Sequence, residues 1–251
     1  MVDSSLSLGD AVTATTDAPR HSALVRITHW LTTVCVLALL LSGIEILISH
    51  PRFYWGETGN VMTPSLFDLP IPASRPWVHT GYGFVLPDQN GWSRNLHFEA
   101  AWAVILTGLV YVISGLRARH FKNNLLPAGA GLTRRALWRD VAKQLRFRRP
   151  DEAEAWSYNV VQRLTYLLVI FVLFPLAIWS GLAMSPALVS VFPFLVTVVG
   201  GQQSARTIHF FVSVLLVLFL VIHIVMVCRA GFKNRVRSMI TGRIASRKDR
   251  P

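Results

Sequence analysis

Four apolar stretches, each long enough to cross a bilayer as a helix, constrain the fold of this chain more than any other feature. They lie at about 28–49, 96–117, 160–183 and 207–228. About 20 helical residues span the hydrocarbon core of a bilayer, where the protein must satisfy its own backbone hydrogen bonds. The sequence therefore predicts an all-α integral membrane protein, a four-helix transmembrane bundle. A fifth apolar segment, 186–200, is too short to cross, so we expect it to be interfacial or re-entrant.

Positive charge is divided unevenly among the segments that connect these stretches. The chain has 25 Lys and Arg against 13 Asp and Glu, and a net charge of +12 could by itself suggest a nucleic-acid partner. Ten of the cations, however, lie in 117–159 and eight in 229–251, whereas 50–95 holds three and 184–206 holds one. Because basic loops stay on the cytoplasmic side, we predict that both termini and 117–159 are cytoplasmic. No nucleic-acid partner is expected.

This arrangement predicts three parts of the chain. Residues 1–25 would be a disordered cytoplasmic N-terminus, 26–230 the transmembrane domain, and 231–251 a basic cytoplasmic tail. Within the cytoplasmic loop, Leu137 and Val141 recur at helical spacing opposite Arg and Lys side chains. That pattern favours an amphipathic helix on anionic membrane lipids.

An Arg precedes a His by three residues at the start of three of the four stretches. The motifs are Arg26-Ile27-Thr28-His29, Arg94-Asn95-Leu96-His97 and Arg206-Thr207-Ile208-His209. A fourth His, His223, follows His209 by 14 residues, so the two rings share one helix face about 21 Å apart. Ionisable side chains inside a membrane are costly, and they mark a functional site by default.

Helix direction sorts these four His into two levels. His97 and His209, the outer pair, would lie near the external face. His29 and His223, the inner pair, would lie near the cytoplasmic face. Each pair joins two different helices, as two axial imidazole ligands of one haem require. Since no Cys-x-x-Cys-His sequence occurs, we predict two non-covalently bound haems b.

Two kinds of neighbour accompany the predicted ligands. Arg26, Arg94 and Arg206 could each neutralise a haem propionate or serve only as snorkelling anchors. Small-residue pairs end three of the helices; they are Ser42-Gly43, Ser114-Gly115 and Ser180-Gly181. Such pairs pack helices closely, or they would let a flat macrocycle lie against the backbone. The sequence leaves both alternatives open.

These features resemble the di-haem cytochrome b subunits of NiFe hydrogenases, formate dehydrogenases and thiosulfate reductases, the bacterial cytochrome b561 superfamily. The resemblance spans about 26–230 and is carried by the helix starts Arg26–Trp30 and Asn95–Phe98 and by His209 with His223. It implies a multi-pass protein of the bacterial inner membrane. It also implies that a quinone exchanges electrons at the cytoplasmic haem. At that level Asn159 and Gln162 could hydrogen-bond a quinone carbonyl, or they could only cap the third helix or meet headgroups.

Three further segments resemble the branch of the superfamily that accompanies periplasmic molybdopterin oxidoreductases. They are Tyr54-Trp55-Gly56-Glu57, Leu182-Ala183-Met184-Ser185-Pro186 and Gly200-Gly201-Gln202. The function expected from the resemblance is that of a membrane-anchoring electron-transfer subunit between the quinone pool and such a partner. The outer face, formed by 50–95 and the apolar 184–206, holds Trp, Phe and Pro with little charge and would dock the partner.

Two alternatives remain open at this point. A stand-alone superoxide:quinone oxidoreductase of the same superfamily would need a short, open outer face with a basic funnel. A transporter or channel with structural His would bind no haem. An absorption spectrum distinguishes the last reading from the others.

Overall fold

The computed structural model describes residues 22–60, 62–70, 90–126, 138, 142 and 160–242. Four helices in this part of the chain are long and apolar enough to span a membrane: Ala23–Ser49, Gly91–Arg117, Val160–Ala183 and Gln202–Arg229. The prediction of an all-α transmembrane bundle is confirmed.

Three of the four spans begin about five residues earlier than their apolar runs. We label them α1 (Ala23–Ser49), α2 (Asn90–Arg117) and α7 (Gln202–Arg229). Their first turns contain polar residues. These residues are helical, but they add nothing to the hydropathy signal that defined the apolar runs. Ser22 caps α1 by accepting a hydrogen bond from the backbone N–H of Val25. Each Arg-x-x-His motif therefore lies inside its helix rather than at its first residue.

The third span is interrupted near its middle. It consists of α3 (Val160–Leu168), a π-helical turn (Val169–Leu173) and α4 (Phe174–Ala183). Pro175 follows the π turn and has no backbone N–H to donate, so the regular α-helical hydrogen-bond pattern cannot run through this point. Pro175 therefore coincides with a local change in helix type.

The spans form two helical hairpins. In the first, α1 packs along α2; in the second, the third span packs along α7. Each hairpin has a buried apolar cluster: Cys35, Ala100 and Val104 in the first, and Val169, Leu173 and Val212 in the second. Phe174 packs against both clusters and so joins the hairpins at mid-bundle.

Shorter elements close the two ends of the bundle. At one end, β1 (Arg52–Phe53) pairs antiparallel with β2 (Phe67–Asp68), and the apolar segment after the third span forms α5 (Pro186–Val191) and α6 (Phe194–Thr197). At the other end lies α8 (Phe232–Thr241), an amphipathic helix within the predicted basic tail. Trp138 and Ala142 are helical, while the rest of the predicted amphipathic helix of the cytoplasmic loop lies outside the described residues.

Candidate functional site

The four His fall into two facing pairs between the hairpins. The ring centroids of His97 and His209 are 6.2 Å apart, with 65° between the ring planes. Those of His29 and His223 are 6.4 Å apart, with 51° between the planes. Each pair joins one helix of the first hairpin to α7, at opposite ends of the bundle.

Both separations fit two imidazoles on opposite sides of one metal ion. A metal–imidazole nitrogen bond is about 2.0 Å long and that nitrogen lies about 1.1 Å from the ring centroid, which gives centroids about 6.2 Å apart. Among the described residues no cluster of three or more His, Cys, Asp or Glu could hold a metal. Each pair offers two His ligands, which suits a cofactor that supplies the remaining ligands itself, as haem does.

In the outer pair, hydrogen bonds to His209 fix which nitrogen can bind a metal. Its Nδ1 lies 3.0 Å from the carbonyl oxygen of Ala177 and 3.0 Å from Oγ of Ser180. Since a carbonyl oxygen only accepts, Nδ1 must carry the proton. The Nε2 lone pair is then available as a ligand.

His97 is held in the same way from the other hairpin. Its Nδ1 lies 3.0 Å from Oγ of Ser42, and the His97 ring also hydrogen-bonds the backbone of Leu39. The single hydroxyl hydrogen of Ser42 is directed to the carbonyl of Ala38, 2.7 Å away, so the oxygen is left to accept from His97.

The glycine beside each serine lies next to the His ring, at a distance where an added Cβ would make ordinary van der Waals contact. A Cβ placed at Gly43 would lie 3.6 Å from Cε1 of His97, and one at Gly181 would lie 3.5 Å from Cε1 of His209. These two Ser-Gly pairs therefore back the predicted ligands. The third pair differs, because a Cβ at Gly115 would lie 2.6 Å from the Phe121 ring. The sequence left these pairs open between helix packing and room for a macrocycle, and it did not predict the hydrogen bonds between the serines and the rings.

The inner pair has different surroundings. Nδ1 of His29 is buried and has no hydrogen-bond partner among the described residues. Aromatic rings contact both His side chains. The Phe219 ring stacks on His223 with the ring centroids 5.8 Å apart, and the Trp30 ring meets His29 edge-on with the centroids 5.5 Å apart. At the same end of the bundle, an open cavity lies between the start of α1 and α8. Its lining residues include Arg26 and Met239.

The end of the bundle beyond the outer pair is held by a backbone clamp. Gly56 accepts hydrogen bonds from the backbone N–H groups of Gln203 and Ser204, and its own N–H donates to Oγ of Ser204. Gly201 has a φ of +113°, and a Cβ there would lie 2.4 Å from the carbonyl carbon and oxygen of Gly56. The buried hydroxyl of Thr207 donates to the Tyr54 carbonyl at 2.7 Å. The loop thereby caps the N-terminus of α7, two turns before His209.

The three arginines of the repeated motif have three different environments. Arg206 donates to the carbonyl of His50 and lies over the Phe53 ring, 5.0 Å from its centroid. Arg26 donates from Nη1 to the Ile240 carbonyl at 2.7 Å, while its buried Nε has no partner among the described residues. Arg94 is exposed. A shared sequence motif therefore does not give the three side chains a shared contact.

Of the two residues predicted to contact a quinone, the structure describes one. Gln162 lies half-buried in the first turns of α3, whereas Asn159 lies outside the described residues.

Comparison with known proteins places this chain in a family. Residues 20–242 match the family described as prokaryotic cytochrome b561. The chain is also 27% identical over 212 residues to a protein of Azospira oryzae named "Putative protein-methionine-sulfoxide reductase subunit YedZ1", a match that covers 82% of this chain and 89% of that protein. No solved structure matches the chain.

Proposed function

The chain belongs to the prokaryotic cytochrome b561 family, and from that membership together with the two His pairs we propose that it is a di-haem cytochrome b subunit linking the quinone pool to a periplasmic redox partner. The family and the four apolar helices make it a multi-pass, haem b-binding electron-transfer protein of the bacterial inner membrane. The number of haems, their ligands, the quinone and the partner are the proposal.

We assign His97 and His209 to an outer haem and His29 and His223 to an inner haem. The observation that carries this assignment is the pair of ring separations, 6.2 and 6.4 Å, each suited to one metal ion. A haem held by two imidazoles would supply one-electron transfer rather than oxygen binding. The candidates for propionate contact are Arg26, whose buried Nε has no partner among the described residues, Arg206 and the exposed Arg94.

The partner is proposed to dock on the outer end of the bundle. That end exposes large apolar side chains, among them Trp55 at 59% and Met62 at 89% exposure. The relative from Azospira oryzae is named as a subunit of a reductase, which supports a partner subunit for this chain as well. We propose that the partner is a molybdopterin oxidoreductase, with the substrate left open.

The quinone is proposed to react at the inner end. Gln162, at the start of the third span, would donate a hydrogen bond to a quinone carbonyl, and Asn159 is the second candidate. The predicted cytoplasmic loops, with their excess of Lys and Arg, would bind anionic lipid.

Haem stoichiometry tests the central claim. Pyridine haemochrome analysis of the fully loaded protein should give two haems b per chain. A ratio of one would reject the pairing of four His into two sites.

Partner docking is tested by substituting exposed residues whose side chains take no part in the backbone clamp. The chain is affinity-purified from its native membranes, and co-purifying molybdenum is measured by metal analysis. Trp55→Ser combined with Met62→Ser should lose the molybdenum while both haems remain. The matched control is Trp138→Ser, a 75% exposed Trp of the predicted cytoplasmic loop, which should keep it. Equal molybdenum in all three preparations would reject docking at the outer end.

The quinone is tested separately. Gln162→Ala should slow reduction of the haems by duroquinol without removing bound molybdenum. An unchanged rate in both Gln162→Ala and Asn159→Ala would reject the proposed quinone contact.

A further inference from the structure

We propose that Ser42 and Ser180 are positioning residues that lower the reduction potential of the outer haem by accepting hydrogen bonds from its two axial ligands. The inference rests on the proposed ligation by His97 and His209. It concerns two side chains that neither the family match nor the similar protein assigns to any role.

The same contact occurs twice, once from each hairpin. Ser42 on α1 lies 3.0 Å from Nδ1 of His97, and Ser180 on α4 lies 3.0 Å from Nδ1 of His209. Both serines have 0% exposure, so water does not compete for these bonds. Two copies with the same distance and the same Ser-Gly sequence are hard to reconcile with a purely accidental packing contact.

Each serine is arranged to accept rather than to donate. The Ser42 hydroxyl donates to the Ala38 carbonyl at 2.7 Å, and the Ser180 hydroxyl donates to the Leu176 carbonyl at 2.7 Å. A hydroxyl has one hydrogen, which these carbonyls occupy. Its remaining lone pairs face the protonated Nδ1 of the His, whose one hydrogen the serine shares with a backbone carbonyl, that of Ala177 for His209 and that of Leu39 for His97.

The chemical consequence follows from the proton shared along that bond. An acceptor at Nδ1–H draws the proton away from the ring and makes the opposite nitrogen a stronger donor to the metal. A stronger donor stabilises ferric iron relative to ferrous iron, which lowers the potential. The bonds also fix the rotation of each ring, and hence the 65° angle between the two planes.

The inner pair and the third Ser-Gly pair provide internal contrasts. Among the described residues Nδ1 of His29 has no acceptor, so this control should be confined to the outer haem. Ser114 belongs to the Ser-Gly pair whose glycine backs Phe121 instead of a His. It is therefore a matched control for the serine substitutions.

The test is a redox titration of the membrane-extracted, haem-loaded protein. Ser42→Ala and Ser180→Ala should each raise the midpoint potential of the outer haem, by up to about tenfold in the one-electron reduction equilibrium, or about 59 mV. The inner haem should keep its potential. Because the EPR signal of a ferric bis-imidazole haem depends on the angle between the imidazole planes, the outer signal should also change. Ser114→Ala should change neither property.

A second substitution guards against simple loss of packing. Ser42→Cys and Ser180→Cys fill the same space with a sulfur that is a weak acceptor. They should raise the outer potential in the same direction by a smaller amount. An outer potential and EPR signal that stay the same in all four Ser42 and Ser180 variants would overturn the inference.

The His variants separate this failure from failure of the proposed function. If His97→Ala and His209→Ala both kept the outer haem, the ligation itself would be wrong, and the serine inference would fall with it. If they lost it while every serine variant matched Ser114→Ala, only the serine inference would be wrong.

Discussion

The outer and inner His pairs offer the same two donors to a metal, yet the protein supports them by different means. The outer rings are fixed by serine hydroxyls and backbone carbonyls, and the clamp between Gly56 and Gly201 closes the end of the bundle beyond them. The inner rings are flanked by Trp30 and Phe219. A hydrogen bond to a His nitrogen fixes both the tautomer and the rotation of the ring, whereas an aromatic contact fills space and fixes neither.

If each pair binds a haem as proposed, this difference would give two electron-transfer centres with the same ligands but separate properties. The outer pair has a fixed ring geometry and lies next to the proposed docking surface. The inner pair lies near α8 and near an open cavity that Trp30, the edge-on neighbour of His29, helps to line. Four sets of substitutions test whether the two His pairs can be altered independently of each other.

The largest expected effect is selective loss of one haem. His97→Ala and His209→Ala should remove the outer haem, and His29→Ala and His223→Ala should remove the inner one, because each ring pair would share one metal. Redox titration of each variant shows which potential disappears. Loss of the same component in the His29 and His97 variants would refute the division into two levels.

The backbone clamp should matter more to the outer His pair than to the inner one. Gly201→Ala places a Cβ against the Gly56 backbone in a conformation that favours glycine, so it should cost about 1–3 kcal/mol of stability. The temperature at which the outer haem spectrum is lost on heating should fall, and that of the inner haem should fall less. Gly108→Ala is the control, because a Cβ there meets nothing within 4 Å in mid-helix and should be neutral or stabilising. An equal fall for both haems would mean that the clamp supports the whole bundle.

The arginines give a smaller, electrostatic effect. Arg206→Gln and Arg94→Gln should both keep the outer haem and lower its potential, because loss of positive charge near iron disfavours the added electron. Arg206 should give the larger shift, since it is half-buried while the exposed Arg94 is screened by solvent. A raised or unchanged potential in both variants would reject propionate contact by either side chain.

The smallest expected effect concerns the attachment of α8 at the inner end. Trp30→Phe removes the hydrogen bond from Nε1 to the Met239 carbonyl, 3.2 Å long, and should loosen α8 by about 0.5–1.5 kcal/mol. Trypsin should then cleave faster at the exposed Lys233, with the outer haem unchanged. Trp179→Phe loses a similar bond, to the Leu195 carbonyl at 3.0 Å, but at the outer end. If it accelerated the same cleavage, α8 would not depend on Trp30 in particular.

Much of the bundle could be predicted from the sequence because its signals are local. The length and hydropathy of each span follow from the chain alone, and the spacing between His209 and His223 follows from helix geometry. Helix direction then brought His97 level with His209, and His29 level with His223, which are the ring pairs that the structure brings together. The start of each helix was less predictable, since a polar first turn carries no hydropathy signal.

What the sequence by itself determined is the set of spans, their order, the family and the candidate ligands. It could not determine what each polar side chain contacts. The three Arg-x-x-His motifs are alike, but their arginines have different contacts. Arg26 hydrogen-bonds α8, Arg206 hydrogen-bonds the loop after α1, and Arg94 is exposed. Likewise, two of three Ser-Gly pairs back a His ring and the third backs Phe121. Only the tertiary structure decided these contacts, because a hydrogen bond depends on which distant backbone or ring comes within about 3 Å, and that proximity is set by the packing of the hairpins rather than by local spacing.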